Sequence, residues 1–411
     1  MSILESFTIA FDAIVANKLR SFLTMLGVII GVFAITVMIS FGEGIQSKFL
    51  EAVEDIGSNL LIVIPGKKEV TNEGHGQSIR FKSTVNRMKP RDAQIIARAC
   101  PSVAAAAPQV EGMATLTYLN TEYDEGRYEA TTAAYLQTRK PKLAAGRFFT
   151  EEEGAAGLRV AVIGSKVKDR LFDKGESPIG KKIRLRYDRG TVPFHVIGVL
   201  KESGGMFGGG EDQRIVIPLS CGQEIADTRN IYSIYALARS HDEVEAAQQQ
   251  ITRVLTDLHG EKDFDFITMK EISTMVTGML TTFKIVLGLI ASVSLLVGGI
   301  GIMNIMLASV TERTREIGIR KAVGARGRNI LLQFVVEAAA ISILGGLIGI
   351  AFGYLTASAV TAKWPEDFPC RVTLWSVLVA TGFSATIGIL FGAWPAWRAS
   401  KMDPIVALRY E

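Results

Sequence analysis

Four long uncharged apolar runs constrain this chain more than any other feature: Ser21–Gly42, Ile285–Thr311, Ala338–Ala362 and Val372–Trp397. A helix of about 20 residues, rising about 1.5 Å per residue, spans a hydrocarbon core of roughly 30 Å, so each run is long enough to cross. A core helix of a water-soluble protein carries charge on its outer face. Four such uncharged runs therefore predict four transmembrane helices. Composition agrees, since 48% of the 411 residues are hydrophobic and 21% charged. A net charge of +4 on so long a chain gives no clustered basic face, which argues against nucleic-acid binding.

The first run does not read as a secretory signal, because Met1–Glu5 lacks a basic stretch and no small-x-small cleavage site follows. Residues 1–20 instead place Ile3, Phe7, Phe11, Ile14 and Val15 on one helical stripe, which predicts an amphipathic helix in the membrane interface. Orientation follows from basic residues in short loops. Residues 312–328 hold Arg313, Arg315, Arg320, Lys321, Arg326 and Arg328, whereas 363–371 balance basic against acidic residues. The first of these loops is thus expected in the cytoplasm, together with both termini. The working boundaries are 21–42, 285–311, 329–362 and 372–397 for the membrane helices, 363–371 for an external turn and 398–411 for a cytoplasmic tail.

Residues 43–284 then lie outside, as a domain of more than half the chain. Short β-runs end at breakers: Leu60–Ile64 before Pro65-Gly66, Arg159–Ile163 before Gly164, Phe194–Leu200, and Arg214–Ile217 before Pro218. Helical periodicity marks 90–99, 165–172 and 242–258. The predicted fold is an α-helical membrane protein with four transmembrane helices plus a large α+β extracytoplasmic domain inserted between helices 1 and 2. Residues 66–90 and Gly204–Gly210 read as mobile loops. At the joints, Ile45, Phe49 and Val53 on one side and Met275, Met279 and Phe283 on the other keep helical spacing, which predicts two stalk helices packed on one another.

Catalytic chemistry is sparse. Gly175–Lys182 nearly spells a phosphate-binding loop, but Lys182 stands where a Ser or Thr would hold magnesium, and the string reads as a turn before Ile183–Leu185. No HExxH, paired CxxC or GxSxG occurs, and His75, His195, His241 and His259 are scattered. The expectation is no cofactor, no metal site and no catalytic residue. Cys100, Cys221 and Cys370 all fall on the external side, where a Cys100–Cys221 disulfide is permitted by compartment and undetermined by sequence. Glu337, in the third membrane helix, is expected near the cytoplasmic interface, paired with a base such as Arg328 or Lys321.

In the cytoplasmic loop, Thr311–Val323 keeps a helical pattern that Gly324 closes, which suits a short charged helix docking in a partner's groove. The string Val297–Leu307, followed by Ser309–Lys321, resembles the signature of MacB-type permeases of ABC transporters. Gly57–Leu61, Gly146–Phe149, Pro178–Lys181 and the ending Asp403–Glu411 match as well. The resemblance implies a permease subunit that exports or extracts substrate outside the membrane by mechanotransmission, working as a homodimer with a separate cytoplasmic ABC ATPase. A periplasmic adaptor protein is a further implied partner. The implied ATPase-docking residues are Glu312, Arg313, Arg315, Glu316, Arg320 and Lys321. MacB itself carries its ATPase at the N-terminus, so a chain beginning at the interfacial helix resembles the stand-alone permeases. A lipoprotein-releasing permease and an FtsX-like signalling subunit that activates a cell-wall hydrolase are the alternatives, and the size of the insert disfavours the second.

Overall fold

The computed structural model describes residues 18–73, 76–82, 85–203, 211–364 and 370–408. Most of the expected interfacial helix, the stretch 204–210 and the turn 365–369 lie outside them. Helix α1 (Lys18–Ile56) leads to β1 (Leu60–Pro65), β2 (Lys67–Glu73), β3 (Gly76–Lys82), α2 (Pro90–Ala99), β4 (Val103–Met113), β5 (Thr115–Tyr118), β6 (Thr121–Tyr123) and β7 (Arg127–Thr131). Next come α3 (Tyr135–Arg139), β8 (Leu143–Gly146), α4 (Glu151–Ala155), β9 (Val160–Ile163), α5 (Ser165–Leu171), β10 (Lys182–Tyr187), β11 (Gly190–Leu200) and β12 (Arg214–Pro218). The chain continues through α6 (Leu219–Ala226), β13 (Ser233–Ala238), α7 (Val244–His259), β14 (Phe264–Thr268), α8 (Met269–Glu312), α9 (Thr314–Ala322), α10 (Gly327–Lys363), α11 (Leu374–Ser400) and α12 (Pro404–Leu408).

Two compact units divide it, Met1–Gln46 with Leu280–Glu411, and Ser47–Met279. In the first unit, α1, α8, α10 and α11 each contain a stretch long and apolar enough to cross a membrane. Glycine sets their separation. A Cβ on Gly27 would lie 2.6 Å from the Gly298 Cα, and one on Gly349 2.7 Å from the Ile29 carbonyl oxygen, so α1 meets α8 and α10 backbone to backbone. Val28, Val32, Leu295, Ile302, Met306 and Phe334 fill the shared core. Between α10 and α11, the Ser342 hydroxyl donates to the Ser384 carbonyl and the Ser384 hydroxyl to the Ser342 carbonyl, which satisfies both groups without water.

The second unit is α+β. Its twelve-stranded sheet runs β14-β1-β13-β4-β7-β12-β9-β11-β10-β5-β6, with β8 beside β11. Strand β4 joins the halves, pairing with β13 over Val103–Gln109 and with β7 over Val110–Met113. Helix α7 buries Ala247, Ile251 and Leu255 completely, one residue per turn along a single stripe, and ends at Gly260 with φ +79°. The near-match Gly175–Lys182 passes through a turn into β10, whose first residue is Lys182.

One expectation is corrected here. Residues 66–90 hold an antiparallel ribbon, β2 with β3, in register from Lys67↔Lys82 to Glu73↔Gly76. Such a ribbon satisfies its backbone across the pair without needing a continuous apolar run, so apolar alternation flags it poorly. Cys100 and Cys221, whose pairing the sequence leaves open, are two buried free thiols, and burial raises the pKa of each.

Candidate functional site

The loop between the second and third membrane helices is built on a break at Arg313, whose φ of −98° and ψ of 12° end one helix and start another. The inner face of α9 is Thr314, Ile317 and Gly318, all buried. Gly318 allows contact with α12: a Cβ there would sit 2.8 Å from the Ala407 Cβ. Lys321 Nζ donates to the carbonyls of Ser400 and Met402, each at 2.6 Å, neutralising carbonyls left open at the end of α11. Gly324, at φ +99°, closes the helix as the sequence predicts.

Arg313 also faces inward. Its Nη1 lies 3.3 and 3.4 Å from the two oxygens of Glu337, a side chain 3% exposed on α10. Glu337 therefore pairs with a base from the loop, but not with the expected Arg328 or Lys321. Lys321 is held by the end of α11, and Arg328 is exposed. Of the six expected docking residues, Arg313 and Lys321 are thus committed inside the chain, while Glu312, Arg315, Glu316 and Arg320 face outward. Arg320 Nη1 donates to Gln333 Oε1 at 2.9 Å, and its Nη2 lies 3.7 Å from Glu316. Ile319 and Val323, 49% and 85% exposed, share this outer face. They line a cleft of about 810 Å³ with Arg320, Ile330, Leu332 and Val336. Sequence reasoning missed these apolar side chains, for which exposure next to a membrane helix is the deciding signal.

The stalk residues divide. Ile45 and Phe49 are each 5% exposed and Val53 is half-buried, whereas Met275, Met279 and Phe283 are 41%, 62% and 54% exposed. The stripe on α1 is thus mostly covered and the stripe on α8 mostly exposed. The run in α8 is apolar on several faces, so its spacing does not reveal what covers it.

A further cluster lies in the inserted unit. His259, at the end of α7, places Nδ1 2.7 Å from Asp263 Oδ1 and Nε2 3.2 Å from Asp92 Oδ2, and all three side chains are buried. The Gly66 amide donates to the Asp263 carbonyl at 2.8 Å, tying the end of β1 to the start of β14. Only the i, i+4 spacing of His259 and Asp263 signals this in sequence, and Asp92 is distant. Among the described residues no cluster of three or more His, Cys, Asp or Glu fits a metal ion.

Four helices able to cross a membrane, an α+β unit inserted between the first two and a short charged helix between the second and third define the architecture of a multi-pass membrane protein. A family model of a MacB-like periplasmic core domain matches residues 21–254, and one of an FtsX-like permease C-terminal region matches 288–404. The chain belongs to the MacB/FtsX-like permease family. It is 36% identical over 411 residues to the macrolide export ATP-binding/permease protein MacB of Azoarcus sp. strain BH72, covering all of this chain and 60% of that protein. The Neisseria meningitidis protein of the same name is 38% identical over 405 residues, 98% of this chain and again 60% of the relative. The chain spans about 60% of the length of these relatives. The crystal structure of the periplasmic region of MacB from Actinobacillus actinomycetemcomitans aligns at TM-score 0.44 and 23% identity, covering 55% of this chain and 95% of that one.

Proposed function

We propose that this chain is the permease subunit of an ATP-driven transporter, exporting or extracting substrate on the outer side of the membrane by mechanotransmission. The observation that carries the reading is the division of α9 into two faces. Its inner face is tied to α10, α11 and α12, so a load on its outer face passes into the membrane helices without first bending the loop. The outer face, Glu312, Arg315, Glu316, Ile319, Arg320 and Val323, is the dock for a cytoplasmic ABC ATPase. Its mixed charge around an apolar patch is the pattern of a protein interface with a greasy centre and a polar rim.

Six basic residues in 312–328 support a cytoplasmic loop, which puts both termini inside and the inserted domain outside. The relatives' name, macrolide export ATP-binding/permease protein, supports export of a bulky amphipathic molecule. The exposed stripe of Met275, Met279 and Phe283 supports a homodimer in which a second copy covers it, and an adaptor protein would receive the inserted domain. The levers in this scheme are α1 and α8, with Ile45, Phe49 and Val53 as the packed side of the first.

The test is assembly. Reversing charge at Arg315 and Glu316 (R315E with E316R) should abolish co-purification of the ATPase and ATP-stimulated activity while leaving the permease folded. Unchanged co-purification would refute the dock. Orientation is checked, in a Cys370→Ser background, by labelling with a membrane-impermeant thiol reagent: Lys174→Cys should react in intact spheroplasts, and Arg328→Cys should not.

A further inference from the structure

Helix α11 has two faces, and the outer one continues past the apolar run. On the inner face Gly388 and Gly392 meet α10, where a Cβ on either would touch Ser342 or Ala338, and Ala396 and Ala399 extend that buried side. On the outer face Phe383, Leu390, Trp394, Trp397 and Lys401 are all exposed. They stand seven, four, three and four positions apart, the spacing of a single line along a helix. The line starts on hydrocarbon side chains, passes through two indoles and ends on an ammonium group. That order matches one leaflet of a bilayer, from acyl chains through the glycerol region to phosphate.

The cationic end is organised. Lys401 Nζ lies 4.2 Å from the centre of the Trp397 ring, so the ammonium is held beside the indole. Arg398, next to Trp397, is exposed and forms no ion pair among the described residues. Asp403 is the sole acid between positions 383 and 408, and its Oδ1 accepts from the Ile405 amide at 2.8 Å to start α12. Helix α12 then packs Ala407 on Gly318 of α9 and leaves Ile405, Val406 and Leu408 exposed around the rest of its turn, the first two at 68% and 61%. Aliphatic side chains exposed at this density need a cover. A protein seated on the outer face of α9 stands on the wrong side to supply it, because α12 lies against the inner face.

Charge and continuity decide the occupant. Two unmatched cations call for an anion, and the stripe that leads to them is unbroken from the membrane-spanning part of α11. A free phosphate would use Arg398 and Lys401 but leave Leu390, Trp394 and Ile405 uncovered. We propose that the outer stripe of α11 and the aliphatic side of α12 form a binding site for an anionic phospholipid. Arg398 and Lys401 hold the phosphate, Trp394 and Trp397 flank the glycerol, and an acyl chain follows Leu390 and Phe383. Bound there, the lipid braces α12 and, through Ala407 on Gly318 and the Lys321 bond to the Met402 carbonyl, supports α9 from behind. The site needs α11 to cross the membrane, but it is independent of what is transported and of which ATPase docks.

The experiment uses the full chain in nanodiscs, with tryptophan fluorescence quenched by brominated phosphatidylglycerol in competition with brominated phosphatidylcholine. Trp364→Phe, Trp375→Phe and Trp394→Phe together leave Trp397 as the reporter. A second protein keeps Trp375 alone, at the other end of α11. The Trp397 reporter should prefer the anionic lipid by about fivefold or more. Arg398→Gln with Lys401→Gln should bring that preference below about twofold without lowering the unfolding temperature, since both side chains are exposed. The Trp375 reporter should show no preference beyond about twofold. The proposal is overturned if Trp397 does not discriminate, if Trp375 discriminates equally, or if the double variant keeps the preference. It is also overturned if neither lipid quenches Trp397, which would show that protein covers the stripe.

Discussion

Arg313 reaches both oxygens of Glu337 from the break between α8 and α9, so the membrane end of the loop is fixed to the body of the next membrane helix by one ion pair. Removing one partner of a buried pair costs more than the pair contributes, because the other charge is left unmatched; the penalty is about 3–5 kcal/mol when both are fully buried. Arg313 is 26% exposed, so the low end applies. Arg313→Ala should destabilise the chain by about 3 kcal/mol. Glu337→Gln, which leaves a hydrogen-bonding amide and a base able to reach solvent, should cost about 1 kcal/mol. Thermal unfolding in detergent ranks the two. An equal or reversed ranking would mean that the pair does not anchor the loop.

Lys321 makes the second anchor. Lys321→Met keeps the stem and removes two charge-assisted bonds, so cleavage between residues 323 and 328 by limited proteolysis should accelerate several-fold. Glu316→Gln, on the exposed face, should leave it unchanged. Both variants are read with the ATPase partner absent, which separates anchoring from docking.

In the inserted unit, His259 separates two buried carboxylates. His259→Ala removes the ring nitrogens that face Asp92 and Asp263 and should destabilise the unit by about 2 kcal/mol, judged by urea unfolding. His259→Ala combined with Asp263→Asn should recover a large part of that loss. No recovery would show that ring packing, not hydrogen bonding to the carboxylates, is what His259 supplies.

Glu153 offers a pH signature. Bidentate contact with Arg147, at 2.6 and 2.7 Å, and the Thr150 amide lower its pKa to about 2. A depressed carboxylate stabilises the fold fully above its unfolded value, near 4.5, and loses that contribution as pH falls through about 2. Glu153→Gln should therefore be less stable than wild type at pH 6, with the gap closing as pH falls below 4.5. The pair is exposed, so the gap is small. A gap constant down to pH 2.5 would contradict this origin.

What sequence reveals here depends on how much of an element's reason is local. Leu60–Ile64 is legible because Leu60, Leu61 and Val63 are buried in an unbroken apolar run, and α7 because Ala247, Ile251 and Leu255 recur at helical spacing. The four membrane helices are legible from hydrophobicity alone. The inward turn of Arg313 is not: every arginine in a positive loop looks alike, and only the break in the helix and the placement of Glu337 on α10 decide which one is spent inside. The exposure of Met275, Met279 and Phe283 is invisible for the opposite reason, because an apolar stripe reads the same whether its own chain, lipid or a second copy covers it.

The central claim is that ATP-driven closure on the cytoplasmic side is carried by α1 and α8 to the inserted domain. A spin label at Lys174→Cys, in a Cys370→Ser background, reports the distance between inserted domains in the assembled homodimer with its ATPase. Glycine at positions 49 and 53 costs a helix interior about 1 kcal/mol each relative to alanine, enough to soften the lever without unfolding it. The account predicts that trapping the ATP-bound state shifts the wild-type distance by on the order of 5 Å. It further predicts that Phe49→Gly with Val53→Gly abolishes the shift while ATP hydrolysis stays within about twofold of wild type. An unchanged distance in the wild type, or the same shift in the variant, would contradict it.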